Sequence, residues 1–345
     1  MNSDTFVNRE LWWLEVNRGV LEAAQDPGAP LLKRLKSLAL VSANLDEFFM
    51  GRIPALKRLI REGEQSGTPP RGLPTAQTLR AVATRVHELV DAQQRCFFQE
   101  IQPRLARDGI RLLQPKEITG KQQHFLEEYF RRTVFPALTP LAVGPAHPFP
   151  FLGNRCLCLL VSMRPSTRSA FPHCELSIVH VPSHALPRFI ALPDPHSRYV
   201  FMRLEDVIRL HLPILCNGYD IISSHALRVT RDAKPPVPVR LADRLGGIEE
   251  SSRTRRRGSA VRLQVDADVP SDSLALLRDE LGLSDDDVYT GVGFVALSDL
   301  LHLHAALDVP PLAKPLQPRR PIPAFVSATD TGNAVDVKGI LAHHP

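Results

Sequence analysis

The chain has 345 residues, too many for one ordinary hydrophobic core, so two or three domains are expected. Hydrophobic content of 43% and charged content of 23% are those of a soluble globular protein, and no apolar run approaches the ~20 residues needed to span a bilayer. A formal net charge of +5, with arginine far more frequent than lysine, favours an anionic polymer as partner but is too small to say which.

Asp4, Glu10 and Glu15 near the start, without an apolar core between them, argue against an export signal. Five cysteines without a CxxC pair fit a reducing compartment better than a disulfide framework. In chain order, residues 9 to 107 read as helical. Leu11, Leu14, Val20 and Leu21 form one stripe, which Asp26-Pro27-Gly28 interrupts. A second pattern starts at Pro30 and continues toward Ile60, with a kink or break expected at Pro54. Gly63 to Pro74 reads as a surface loop, and a third helical pattern runs from Leu79 toward Leu105.

Beyond residue 108 the texture changes. Thr119 is placed to cap a helix ending near Val134, which leads into FPALTPLAVGPAHPFPFL. So many prolines exclude a helix interior or a central strand and leave an extended connector. Cys156–Met163, Glu175–Val181, Tyr199–Met202, Leu227–Thr230 and Ala260–Val265 read as strands, with helices at Leu204–Leu212 and Ser273–Leu281. The division is a helical domain over 1–107, an α+β domain over 108–310, and a proline-rich linker with a short tail over 311–345. Cys156 and Cys158 share one face of their strand and are expected to be small core residues, with no metal ligands assigned anywhere in the chain.

The stretch hardest to explain as scaffold is Ser42 to Arg52, SANLDEFFMGR. Asn44, Phe48 and Gly51/Arg52 recur at helical spacing and so share one face. A carboxamide, a flat ring and a guanidinium on one face suit a planar base carrying phosphates. The plainer alternative makes Asn44 a helix cap with Glu47 three positions on, and spacing alone favours that cap.

Four stretches together resemble the N-terminal half of the bacterial polyphosphate kinases of the histidine-phosphorylating kind. They are NRELWWLEVN at Asn8–Asn17, SANLDEFFMGR, the proline-rich FPALTPLAVGPAHPFPFL, and VTRDA at Val229–Ala233, in the family's order. The resemblance implies a helical N-terminal domain and an α+β middle, or head, domain, ahead of two phospholipase D-like catalytic domains expected to be absent from this chain. It implies transfer of the terminal phosphate of ATP to inorganic polyphosphate through a phosphohistidine, with magnesium required and its ligands in the absent domains. Asn44 matches the asparagine that contacts the ATP base, which places nucleotide contact ahead of capping. Arg52 and Phe48 are weaker nucleotide-binding candidates, Arg52 having Asp46 or Glu47 as alternative partners. Also implied are homo-oligomer formation through the middle domain and a cytoplasmic location that extends to the face of the inner membrane; no nucleic acid partner is expected.

The family's HxK triplet is absent from the 13 histidines of this sequence, so no catalytic residue is assigned and the chain alone is expected to be inactive. Asp285-Asp286-Asp287 reads as a solvated helix terminus, because three consecutive side chains diverge. Trp12, Val16 and Gly51 depart from the family's usual Ser, Phe and Val. Such departures leave a second expectation, a non-catalytic nucleotide- or polyphosphate-binding or assembly module derived from a degraded gene.

Overall fold

The computed structural model describes residues 8–66, 76–144, 147–166, 175–195, 197, 199–233, 258–291 and 295–307; the side chains of 61–66 are not described. The proposed linker and tail and most of the 63–74 loop lie outside these residues. Helix α1 (Arg9–Gln25) begins at Asn8, whose carboxamide oxygen accepts from the Glu10 and Leu11 N–H groups. It packs on α2 (Leu31–Ser66) and α3 (Ala76–Arg95), and a π turn at Cys96–Ile101 leads to α4 (Gln102–Arg107). The expected surface loop is therefore shorter, since residues 63–66 continue α2.

Pro54 does not break α2, which is continuous through it. A proline within a helix removes the N–H that would bond the carbonyl four residues earlier. That carbonyl, of Met50, instead accepts the Ala233 N–H at 3.0 Å, from the end of the VTRDA stretch. The vacant acceptor becomes a point of attachment for a distant strand.

After β1 (Ile110–Leu113), α5 (Gly120–Tyr129) starts from a capping box between Thr119 and Gln122 and ends in a π turn at Phe130–Val134. Within the proline-rich connector, β2 (Pro140–Val143) forms a strand at a sheet edge, where a missing N–H is tolerated. There follow β3 (Cys156–Pro165), β4 (Leu176–His180), β5 (Phe189–Ala191), β6 (Tyr199–Arg203), α6 (Leu204–Leu210), α7 (Leu212–Leu215) and β7 (Tyr219–Arg231). The remaining described elements are β8 (Ala260–Asp266), α8 (Ser271–Leu281), β9 (Val288–Gly291) and α9 (Leu300–Leu307).

Among the described residues the strands form two sheets, ordered β1-β6-β5 and β2-β4-β3-β7-β8-β9. The larger is antiparallel except for its β8–β9 pair. Side chains alternate across β3: Leu157, Leu159 and Val161 enter one core with Val200 and Met202 of the smaller sheet. Cys158 and Leu160 enter another with Leu263, Val265 and Leu277 of α8. A third core joins the helices to the rest, because Leu300, Leu303 and Leu307 of α9 and Tyr289 of β9 cluster with Leu38, Leu45 and Phe49 of α2. The chain is thus a helical domain followed by an α+β domain with mixed sheets. No helix among the described residues is long and apolar enough to cross a membrane.

Candidate functional site

The SANLDEFFMGR stretch lies in the middle of α2, well inside the helix that begins at Leu31, so Asn44 is not a cap. Its side-chain N–H donates to Asn17 Oδ1 of α1 at 2.8 Å, and Asn17 in turn donates to the Trp13 carbonyl at 3.0 Å. Asn17 is buried while Asn44 is half-buried, leaving Asn44 its oxygen and second N–H for another partner. One turn on, Phe48 is buried and stacks on Trp13, with ring centroids 4.7 Å apart and planes 12° from parallel. That ring face is therefore occupied by Trp13 and is not open to a base. A further turn on comes Arg52, half-buried and without an ion pair among the described residues.

Phe48 and Arg52 line a recess of about 110 Å³ with Arg9, Glu10, Trp12 and Trp13. The two tryptophans of the chain are thus both at this opening, and Trp12 is 56% exposed. Asn44 stands on the same helix face but does not line the recess itself. A larger recess, about 670 Å³, opens at the α1–α2 turn. Two of its three arginines are paired, Arg34 with Glu100 and Arg104 with Asp108, while Arg107, among the described residues, donates only to the Pro103 carbonyl at 3.4 Å; Glu100 and Asp108 also line it and oppose an added anion.

Asp46 settles one alternative for Arg52. It points to the opposite side of α2, into the larger sheet, where it accepts from Arg228 at 2.6 and 2.8 Å and from Arg262. All three side chains are buried, and Arg262 also lies over the Phe49 ring. Burial pushes the Asp46 carboxyl up, but the two guanidinium groups outweigh it and hold it down at about 2. Asp46 is therefore not a partner for Arg52. Farther along the same side, Arg58 pairs with Asp232 and Lys57 with Asp287, the latter at 2.7 Å.

The comparisons agree with the sequence motifs. Residues 6–113 match the family model described as the polyphosphate kinase N-terminal domain, and residues 121–303 match the polyphosphate kinase middle domain. The chain belongs to the polyphosphate kinase family. It is 40% identical over 332 residues to the polyphosphate kinase of Thermosynechococcus vestitus, covering 94% of this chain and 44% of that protein. It is 38% identical over 350 residues to that of Halalkalibacterium halodurans, covering 100% of this chain and 49% of the relative. The crystal structure of polyphosphate kinase from Porphyromonas gingivalis shares the fold, with a TM-score of 0.73 at 23% identity over 95% of this chain and 45% of that one. The chain spans about half the length of the polyphosphate kinases it matches.

The magnesium that polyphosphate kinases imply finds no fitting oxygen set among the described residues. Asp287 is not solvated: it is buried, holds Lys57, and accepts from Ser284 at 2.7 Å. Asp285 pairs with Arg278. Asp266, near His225 and Asp268, already accepts from Arg209 and from the Ala226 N–H, both at 2.7 Å. Asp266, Asp285 and Asp287 are thus committed to cations or to backbone N–H groups. Sequence reasoning missed the Asp46–Arg228–Arg262 cluster, whose members are far apart in the chain. Asp46 sits inside the most distinctive motif and Arg228 immediately before VTRDA, which was the available signal.

Proposed function

We propose that this chain supplies an ATP-facing wall of a cytoplasmic polyphosphate kinase, which passes the terminal phosphate of ATP to polyphosphate through a phosphohistidine. The observation that carries this reading is Arg52, a half-buried cation without an ion pair among the described residues, opening beside Arg9 and both tryptophans. A guanidinium meets phosphate with parallel N–H donors, and an exposed indole such as Trp12 offers a flat face to a base. Asn44 adds an acceptor and a donor on the same helix face. Phe48 serves by fixing Trp13 rather than by touching the base. The phosphorylated histidine and the magnesium ligands belong to the part of the relatives that this chain does not span, so residues 1–345 alone should take up no acid-labile phosphate from γ-labelled ATP. Exposed Ile214 and Ile222 support self-association through the α+β domain.

Tryptophan emission tests the nucleotide reading directly, because both tryptophans lie at the recess. Titration with ADP or ATP, excited at the red edge of the indole band, should give a saturable change that weakens in Arg52→Ala. A folded chain whose emission shows no saturable response would overturn the reading.

A further inference from the structure

Strand β3 carries two cysteines on one face, and antiparallel pairing sets His180 of β4 directly opposite Cys158. The three donor atoms converge. Cys156 Sγ lies 3.0 Å from His180 Nδ1, Cys158 Sγ lies 3.8 Å from the same nitrogen, and the two sulfurs are 3.9 Å apart. A tetrahedral zinc ion with Zn–S of about 2.3 Å and Zn–N of about 2.05 Å requires S···S edges of about 3.8 Å and S···N edges of about 3.6 Å. Two of the three observed edges match one face of that tetrahedron, and the third, Cys156 Sγ to His180 Nδ1, is about 0.6 Å short of it, so the ligands would open slightly around the ion. Hard oxygen-seeking cations are disfavoured, since two sulfurs and an imidazole form a soft to borderline donor set.

We propose that Cys156, Cys158 and His180 form a Cys2His site for a divalent metal of the zinc class, with the fourth position taken by water or His184. His184 follows His180 at the HxxxH spacing common among zinc ligands, in the turn after β4, and is exposed. Cys158 is the core residue that its strand position predicts, whereas Cys156 and His180 are half-buried, so the site has both a rigid base and an open side. Bound metal would pin the start of β3 to the end of β4 and leave the recess on α2 untouched.

The test uses the reduced, metal-free 345-residue chain titrated with Co2+ alone and then with Zn2+ alone. One equivalent of Co2+ should produce thiolate-to-cobalt charge-transfer absorption and the intense visible bands of a tetrahedral site, and Zn2+ should abolish both. Zn2+ should also raise the melting temperature. Cys158 lies in the core, so the deciding variants are Cys156→Ser and His180→Gln, each verified as folded by circular dichroism. Both should lose the charge-transfer band and the Zn2+-dependent rise in melting temperature, while Cys96→Ser and Cys216→Ser keep them. A folded wild-type chain without the band, or a band that survives in either deciding variant, overturns the assignment.

Discussion

The two faces of α2 divide the labour of one motif. Successive helical residues advance by ~100° around the axis, so Asp46 and Met50 point away from Asn44, Phe48 and Arg52. On the first face every strong group is satisfied: Asp46 by two arginines, the Met50 carbonyl by Ala233, and Lys57 by Asp287. On the second, Arg52 has no ion pair among the described residues and opens into a recess. A buried, saturated cluster holds elements together, whereas a half-buried cation that makes no ion pair among the described residues is open to an anion from outside. One face joins the helices to the sheet and the other is left for a ligand.

The largest way to break this contrast is Asp46→Asn. It leaves Arg228 and Arg262 buried without their counter-charge, and loss of one partner from a buried ion cluster costs about 3–5 kcal/mol. Denaturant unfolding should show that loss. The Arg52→Ala exchange on the other face should change stability by no more than about 0.5 kcal/mol. Equal losses from the two would end the distinction.

Acid gives a smaller, reversible version of the same test. Asp46 is held below its ordinary value of 3.8, at about 2, so folding favours its ionised form. The stability it contributes is complete above pH 4 to 5 and is lost as pH falls toward 2, amounting to roughly 2 kcal/mol. Glu205, buried against Arg188 and also held at about 2 in place of 4.5, adds to the same acid limb. Melting temperature should therefore drop steeply between pH 5 and 2. Asp46→Asn should retain only the Glu205 share of that slope.

Asn44 lies between the two behaviours, since it serves both α1 and the open side. Asn44→Ala leaves the buried Asn17 oxygen without its donor, a cost of about 1–3 kcal/mol. If Asn44 also meets the nucleotide, ADP or ATP affinity read by tryptophan emission should fall by a similar amount in the variant. Asn17→Ala should lose stability while affinity changes less. Equal affinity losses in the two variants would make Asn44 a positioning residue for α1 only.

Local rules made much of this legible. Helical periodicity marked α1 to α3, the capping pattern at Thr119 marked α5, and apolar runs marked β3, β4, β6 and β8. What escaped depends on tertiary partners. Pro54 reads as a break until Ala233 is seen to take the carbonyl it leaves vacant. The short strands β1, β5 and β9 have too few residues to show alternation, and pairing alone defines them. Asn44, Phe48 and Arg52 do share a face, but only the structure shows that Trp13 covers the Phe48 ring and that Asp46 is unavailable to Arg52. Cys156 and Cys158 do lie in or against the core, as their strand position indicates, but the strand pattern does not reveal that His180 stands opposite.

The smallest expected effect comes from Gly51, which sits beside Arg52 in the interior of α2. Glycine there carries an entropic cost of about 0.5–1 kcal/mol relative to alanine. A Cβ built at Gly51 meets nothing within 4 Å, and no positive φ requires a glycine. Gly51→Ala should therefore raise unfolding free energy by about 0.5–1 kcal/mol. Because the added methyl group meets open space, nucleotide affinity should stay unchanged. A variant that is more stable yet binds ADP or ATP less well would mean that the ligand approaches the helix backbone itself at Gly51. The open face would then extend beyond the recess, and the boundary between the two sides of α2 would lie closer to Met50.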